Sequence, residues 1–336
     1  MPEALFPLLL LGELGPLSRD LGDRLLATGA FMIVGRASDA GSAQRICRDR
    51  SPRAALLIAR SQGDVALIAE LMRENPLPVV VLAQTAALGV AALAAGAVEV
   101  LPATTPPEPL VQSLRLMGDL RVVGRRARPG KPARAPRCEA PAPEHGPGPQ
   151  LVAIGASTGG PLALVELLSG LPAGFPAAVL VVQHMPDDYG PQFAAWLGGA
   201  IALEVRLAAA GDLAHPGTVY LADGGHDLLA GPGGFLHTRP RSTTGPCPSA
   251  DVLFASVAGL SGFARCGVLL TGMGRDGAAG LLAIREAGGF TLVQDRASSV
   301  VSSMPDEALR LGAAELALPP AALASQLLLW AGGQRL

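Results

Sequence analysis

The sequence predicts an α/β protein made of two doubly wound parallel-sheet domains. Three observations carry that expectation. Short, wholly apolar runs of strand length recur along the chain, as expected of strands buried on both faces. Stretches of helical length separate them, which is the pattern of strand–helix–strand crossovers. A proline- and arginine-rich stretch without apolar periodicity breaks the alternation near the middle of the 336 residues.

The first part, residues 1–123, offers five strand candidates: "FPLLLL", "FMIVGR", "AALLIA", "PVVVLA" and "AVEVLPA". Helical stretches such as "SRDLGDRLLATG" and "DVALIAELMREN" lie between them. Five such units in one compact segment predict a flavodoxin-like sheet. Residues 124–149 hold seven prolines and six basic residues against two glutamates. Such a composition cannot offset the entropy of ordering, so it reads as an extended linker whose charge is solvated. The second part, residues 150–336, repeats the alternation. Its strand candidates are "QLVAIGA", "AAVLVVQH", "EVRLAAA", "TVYLAD", "GVLLTG" and "FTLVQD". "PLALVELLSGL", "YGPQFAAWLGGA", "SADVLFASVAGLS" and "DGAAGLLAIREAGG" read as helices. This predicts a Rossmann-like sheet.

Composition narrows the function classes. Hydrophobic residues make up 49% and charged residues 16%, enough apolar material for sizeable cores. The net charge is −2 with no dominant basic patch on a folded segment, which argues against nucleic acid as a partner. Cys47, Cys138, Cys247 and Cys266 show no metal-ligand or disulfide-framework spacing. The apolar start stops at Gly12 and Glu13 without a basic flank, so it reads as a buried strand of a cytoplasmic protein.

In doubly wound sheets, ligands bind beyond the carboxyl ends of the strands. Three reactive residues fall there in the second part. "LVAIGASTGG" puts Ser157 past one strand, "AVLVVQHMP" puts His184 past another, and "VLLTGMGRDGAAG" puts Asp276 past a third. A serine hydroxyl needs a base, imidazole titrates in the right range, and a carboxylate fixes the imidazole tautomer. Gly155-Ala156-Ser157-Thr158-Gly159 fits the tight turn that exposes a nucleophile. Free N–H groups where Gly159 and Gly160 enter the next helix, and around Met273, suit a developing oxyanion. Singly, each residue has an ordinary structural reading, as a turn, a cap or a strand-end histidine. Their joint position favours the triad. The order Ser, His, Asp differs from that of α/β-hydrolases. The rival reading, a phosphate or dinucleotide cradle, wants an acidic residue at the end of the next strand, where Gln183-His184 stands instead. A third reading, a non-catalytic interaction protein, is opposed by the presence of all three residues.

"IGASTGGP", "VVQHMP", "PSADVLF", "LLTGMGRDGAAGLLAIREAGG" and "TLVQDRASSVVSSMPDEAL" together resemble the signatures of the chemotaxis protein-glutamate methylesterase family, CheB, over about residues 150–330. The resemblance implies that Ser157 is the nucleophile, His184 the base and Asp276 the third member. Thr158 and Met273 match positions near that site, with the Met273 N–H as oxyanion donor. It further implies hydrolysis of glutamate methyl esters on chemoreceptors, deamidation of receptor glutamines in some members, and no metal or organic cofactor. The implied partners are methyl-accepting chemoreceptors and a chemosensory histidine kinase, with membrane contact only through the receptors. Members also carry a histidine near "GGHDL", so His226 either borders the substrate groove or braces a turn. Asp187 and Asp188 read as solvated residues or caps of the next helix, while Asp295, at another strand end, is a candidate neighbour of the site that the resemblance passes over for Asp276.

In that family the first domain is a response-regulator receiver. Here the phosphoacceptor slot falls near Ile58, Ala103 stands where the receiver lysine is expected, and the acidic pair after the first strand is reduced to Glu13. No aspartate follows the third strand until Asp64. Phosphoryl transfer needs a carboxylate nucleophile and carboxylates for Mg²⁺, so residues 1–123 are expected to form a degenerate receiver with no phosphoacceptor.

Overall fold

The protein is seen in a computed structural model that describes residues 5–13, 15–117, 148–241 and 245–334. The chain divides into two compact units, residues 1–129 and 130–336. The expected linker, residues 124–149, lies outside the described residues except for Gly148 and Pro149.

The first unit runs β1 (Phe6–Leu11), α1 (Pro16–Ala27), β2 (Phe31–Ala37), α2 (Ala40–Arg50), β3 (Ala54–Ala59), α3 (Gln62–Glu74), β4 (Val79–Ala83), α4 (Ala86–Ala95), β5 (Glu99–Pro102) and α5 (Pro107–Met117). Its strands are all parallel, in the order β2-β1-β3-β4-β5. That order is the flavodoxin-like one expected from the sequence. β3 and β4 are buried at every position, which is why they read as unbroken apolar runs. Helix starts are set locally: Asp39, Ser61 and Thr85 each accept a first-turn N–H, and Ser61 and Asp64 form a reciprocal capping box.

The second unit follows β6 (Gln150–Ala156), α6 (Gly160–Leu168), β7 (Ala177–Gln183), α7 (Gly190–Ala200), β8 (Glu204–Leu207) and β9 (Thr218–Leu221). After these come β10 (His226–Ala230), β11 (Leu236–Pro240), α8 (Ala250–Ala258), β12 (Ala264–Leu269), α9 (Ala278–Glu286), β13 (Phe290–Gln294), α10 (Ser303–Arg310), β14 (Leu316–Leu318) and α11 (Pro320–Ala331). Seven strands form one parallel sheet, ordered β14-β13-β12-β6-β7-β9-β8. On one face, Leu151, Ala153, Leu180 and Val182 share a buried cluster with Leu253 and Phe254 of α8 and Leu281 and Ile284 of α9. Alternate residues of the same strands point to the other face, as the period of two requires.

The structure adds an antiparallel hairpin that the sequence reading did not include. β10 pairs with β11 around the "GPGG" turn, in which Gly233 and Gly234 both have positive φ. The turn glycines were a usable hairpin signal. β14, α10 and α11 were likewise not anticipated. Strand order reverses at β6: its sequence neighbour β7 pairs on one side and the late strand β12 on the other. That is the place where an open α/β sheet leaves a crevice.

Candidate active site

Ser157, His184 and Asp276 follow the ends of β6, β7 and β12, three adjacent strands. β6 and β7 pair in register up to Ala156 and Gln183, so the next residues, Ser157 and His184, leave neighbouring strand ends together. The ladder continues past the strands: His184 N–H donates to Ala156 O at 2.9 Å and Ser157 N–H to Thr271 O at 3.0 Å. Ser157 then turns into α6, with its carbonyl accepting Gly160 N–H at 2.8 Å. Gly159 carries φ +77° at this turn, and a Cβ there would lie 2.6 Å from Val300. Both the left-handed backbone and the close wall demand glycine. Pro161 sits in the first turn of α6, where its missing N–H costs nothing.

The histidine and the carboxylate are joined. His184 Nε2 lies 2.9 Å from Asp276 Oδ2. Because an ionised carboxylate only accepts, Nε2 carries the proton and Nδ1 is left as the basic nitrogen. Asp276 accepts three further bonds, from Ser249 Oγ at 2.7 Å, Ala250 N at 2.7 Å and Asp251 N at 3.1 Å. These donors form the N-terminus of α8, whose N-cap is Ser249. Burial works against a charge on Asp276, but hydrogen bonds from His184, Ser249 and Ala250 outweigh it and hold its pKa below the usual carboxylate range. The positive end of the helix dipole acts in the same direction.

Behind Asp276 stands a second carboxylate. Asp227 is 3% exposed, accepts Ser249 N–H at 3.0 Å and is paired with Arg239 at 3.0 Å. The β10–β11 hairpin thus anchors the start of α8 from below.

One wall of the site is woven by polar side chains, of which Thr271 and Gln294 are buried and Ser303 is exposed. Thr271 Oγ1 donates toward the carbonyls of Thr158 (3.0 Å) and Val301 (3.1 Å) and accepts Val301 N–H at 2.9 Å. Gln294 accepts Thr271 N–H at 2.8 Å and donates to Ser298 O at 2.9 Å. Ser303 Oγ donates to Gly272 O at 2.9 Å and accepts Gly274 N–H at 3.1 Å. These bonds tie the segment 295–303 onto the loop that carries Met273. Met273 is 38% exposed at the rim, and no acceptor is bonded to its N–H among the described residues.

Other expected residues lie elsewhere. Asp295 accepts Ser298 N–H at 2.8 Å and Ser298 Oγ at 2.6 Å, so it braces its own turn. Asp187 pairs with Arg241 at 2.7 Å on the surface. Asp188 is exposed in the 3-10 turn that precedes α7. His226 is exposed with Nδ1 3.3 Å from Gly224 O, the turn-bracing alternative. Ser249, Asp227, Thr271 and Gln294 were not singled out from sequence. Ser249 had a signal: a serine two residues before an aspartate at the start of an apolar helix reads as an N-cap. The other three become visible only when distant loops meet. The phosphate-cradle reading also loses ground, since Gln183 folds back to Ser157 O at 2.9 Å instead of facing outward to a ribose. Among the described residues, no group of three or more His, Cys, Asp or Glu is arranged to hold a metal ion.

The corresponding edge of the first unit is different. Ile58 is a buried rung of β3 paired with Leu82. Arg60 reaches Glu13 at 2.7 Å, an ion pair at the carboxyl edge of the sheet. Asp64 is committed to Arg60 N, Ser61 N and Ser61 Oγ, each at 3.0 Å.

Comparison with known proteins agrees with this geometry. The family model for the CheB methylesterase matches residues 152–327. A protein-glutamate methylesterase/protein-glutamine glutaminase of Myxococcus xanthus is 38% identical over 308 residues, covering 87% of this chain and 84% of its own. One from Geobacter metallireducens is 39% identical over 319 residues, covering 88% and 90%. Among solved structures, the catalytic domain of the Thermotoga maritima CheB methylesterase aligns at 32% identity with a TM-score of 0.50, covering 54% of this chain and 97% of that one.

Proposed function

The chain belongs to the CheB methylesterase family, and from that premise we propose that its second unit hydrolyses glutamate methyl esters on chemoreceptors, using Ser157 as nucleophile. The observation that carries the reading is the His184–Asp276 pair at 2.9 Å, beside the strand end that presents Ser157.

Each group has a role in the proposed reaction. Ser157 Oγ attacks the ester carbonyl while His184 Nδ1 takes its proton. Asp276, held ionised by its four donors, stabilises the imidazolium. The oxyanion of the tetrahedral intermediate is met by the N–H of Met273 and that of Gly159 in the turn before α6, since the Gly160 N–H is spent on the Ser157 carbonyl. Collapse returns the proton to the methoxy oxygen and releases methanol. Water then adds to the acyl carbon as the same imidazole takes its proton, and that proton passes to Ser157 Oγ as the acyl–Oγ bond breaks and frees the glutamate side chain. With an amide in place of the ester, the same steps release ammonia, which is the glutaminase activity named for the relatives. Among the described residues, no helix is long and apolar enough to cross a membrane. We place the enzyme in the cytoplasm, where it meets receptors from the cytoplasmic side.

The test is methanol release from a methylated receptor by the wild type, Ser157→Ala and His184→Ala. Each variant is expected to lose several orders of magnitude, on the order of 10⁴ or more in kcat. Equal release by all three would overturn the assignment.

We further propose that residues 1–123 are a degenerate receiver outside the reach of a chemosensory histidine kinase. Ile58 has no group to phosphorylate, and an Arg60–Glu13 ion pair occupies the sheet edge. Asp64 is spent as a cap. Incubation with acetyl phosphate and intact-mass measurement is expected to give no adduct within this unit. A stable adduct there that raises methanol release would sink the proposal.

A further inference from the structure

Gln183 ends β7, is 4% exposed, and sits beneath both reacting side chains. Its Nε2 donates to Ser157 O at 2.9 Å and to His184 O at 2.9 Å. One amide therefore holds the backbones of Ser157 and His184, the first of them 26 positions from the glutamine itself. Its Oε1 is buried with no hydrogen-bond partner among the described residues. A buried oxygen left without a donor is unfavourable, so this amide is not there to satisfy itself. Flipping it would bring Oε1 against two carbonyl oxygens, so the two acceptors fix its orientation.

The space around Oε1 is also specified. A Cβ on Gly160 would lie 2.1 Å from Gln183 Oε1 and 2.8 Å from the Ala156 Cβ. Gly160 is the first residue of α6 and its φ is not in the left-handed region, so its lack of a side chain serves the amide, not the backbone. The glycine beside the serine turn makes room for the clamp.

We propose that Gln183 is a positioning residue for the hydrolysis, setting the spacing of Ser157 and His184 by bridging their carbonyls through one amide. It touches neither substrate nor the moving proton. Its contribution is the register between nucleophile and base, and a misplacement of about 1 Å at such a pair costs on the order of 10²-fold in rate. The inference rests on the reading of Ser157 and His184 as nucleophile and base.

The experiment uses the full chain and two variants. Gln183→Met keeps length and volume but removes both donors. Gly160→Ala leaves the glutamine in place and pushes it off its seat from the other side. Methanol release from methylated receptor gives kcat and KM. A small alkyl fluorophosphonate reports Ser157 reactivity without receptor docking. Both assays run well below each variant's melting midpoint and are normalised to folded protein. In both variants kcat is expected to fall on the order of 10²-fold with KM unchanged, and fluorophosphonate labelling to slow in proportion. A merely structural glutamine would lower the melting midpoint yet leave kcat and labelling per folded molecule at wild-type values, and that result overturns the inference. If Gln183→Met does not fold, Gly160→Ala decides alone by the same criterion. A wild-type chain that is not labelled at Ser157 overturns the nucleophile reading and this inference with it, whereas wild-type labelling with unimpaired variants overturns only this inference.

Discussion

Asp64 and Asp276 both lie beyond the carboxyl edge of a parallel sheet, and both cap a helix. Asp64 caps the helix it belongs to, and its hydrogen-bond partners, Arg60 and Ser61, lie within four residues of it. Asp276 caps α8, a helix 25 residues earlier in the chain, and spends the rest of its oxygen on His184, 92 residues away. The difference shows how a carboxylate becomes available for chemistry. A local cap saturates the group with its own turn. A cap across the fold leaves the carboxylate facing a neighbouring strand end, where a base can stand. Both sheets are parallel, one of five strands and one of seven in a different order, and in each the loops at the carboxyl edge decide what chemistry the edge can carry.

Substitutions can break this comparison, and the largest effect is expected at Asp276. Asp276→Asn keeps the shape but removes the charge that fixes the His184 tautomer. A kcat loss of roughly 10⁴-fold is expected for methanol release. A loss below tenfold would show that the carboxylate only caps α8. Next comes Ser249→Ala, which removes the N-cap of α8 and a donor to Asp276. It should lower stability by about 1–3 kcal/mol in urea unfolding and reduce kcat roughly tenfold.

Acid sharpens the contrast. The folded state holds the Asp276 pKa below its ordinary value, so its contribution to stability is complete above the unfolded pKa, about 4. That contribution is lost as the pH falls through the lower, folded value. Urea midpoints measured from neutral pH downward should therefore drop less steeply below about pH 4 in Asp276→Asn than in the wild type. Parallel curves would refute the linkage.

The smallest effect is expected in the first unit. Asp64→Ala removes one capping box, which should lower that unit's stability by about 1 kcal/mol. Because Asp64 is no phosphoacceptor in this reading, the variant should match the wild type in showing no mass adduct with acetyl phosphate.

What could be read from the sequence follows the same local-versus-distant division. The central strands of both sheets were legible because burial on both faces leaves them almost without polar residues, as in "AALLIA" and "LVAIGA", whereas the short, partly exposed edge strand β14 was not. The helix over "DVALIAELMREN" was legible from its composition, while its cap, Ser61, was not singled out. That Ser157, His184 and Asp276 lie at one edge was legible because strand ends of a parallel sheet share it. The supports of the site were not found. Thr271 and Gln294 look like ordinary polar residues after apolar runs, and their meaning comes from loops at 158, 298 and 301 that fold onto them. Asp227 was passed over because a buried carboxylate inside an unanticipated hairpin has no local signature. The first unit's Arg60–Glu13 pair spans 47 positions and is equally invisible in the chain order.

The quadruple bonding of Asp276 bears on how inactive relatives should be recognised. Its oxygens hold the first turn of α8 as firmly as they hold the imidazole, so a chain that had abandoned hydrolysis would still be under pressure to keep this aspartate in order to fold. Ser157 and the imidazole of His184 carry no such second duty among the described hydrogen bonds. On the proposed roles, a decaying chain of this build should therefore shed Ser157 and His184 first and Asp276 last. The residues whose survival speaks for activity in this chain are Ser157 and His184.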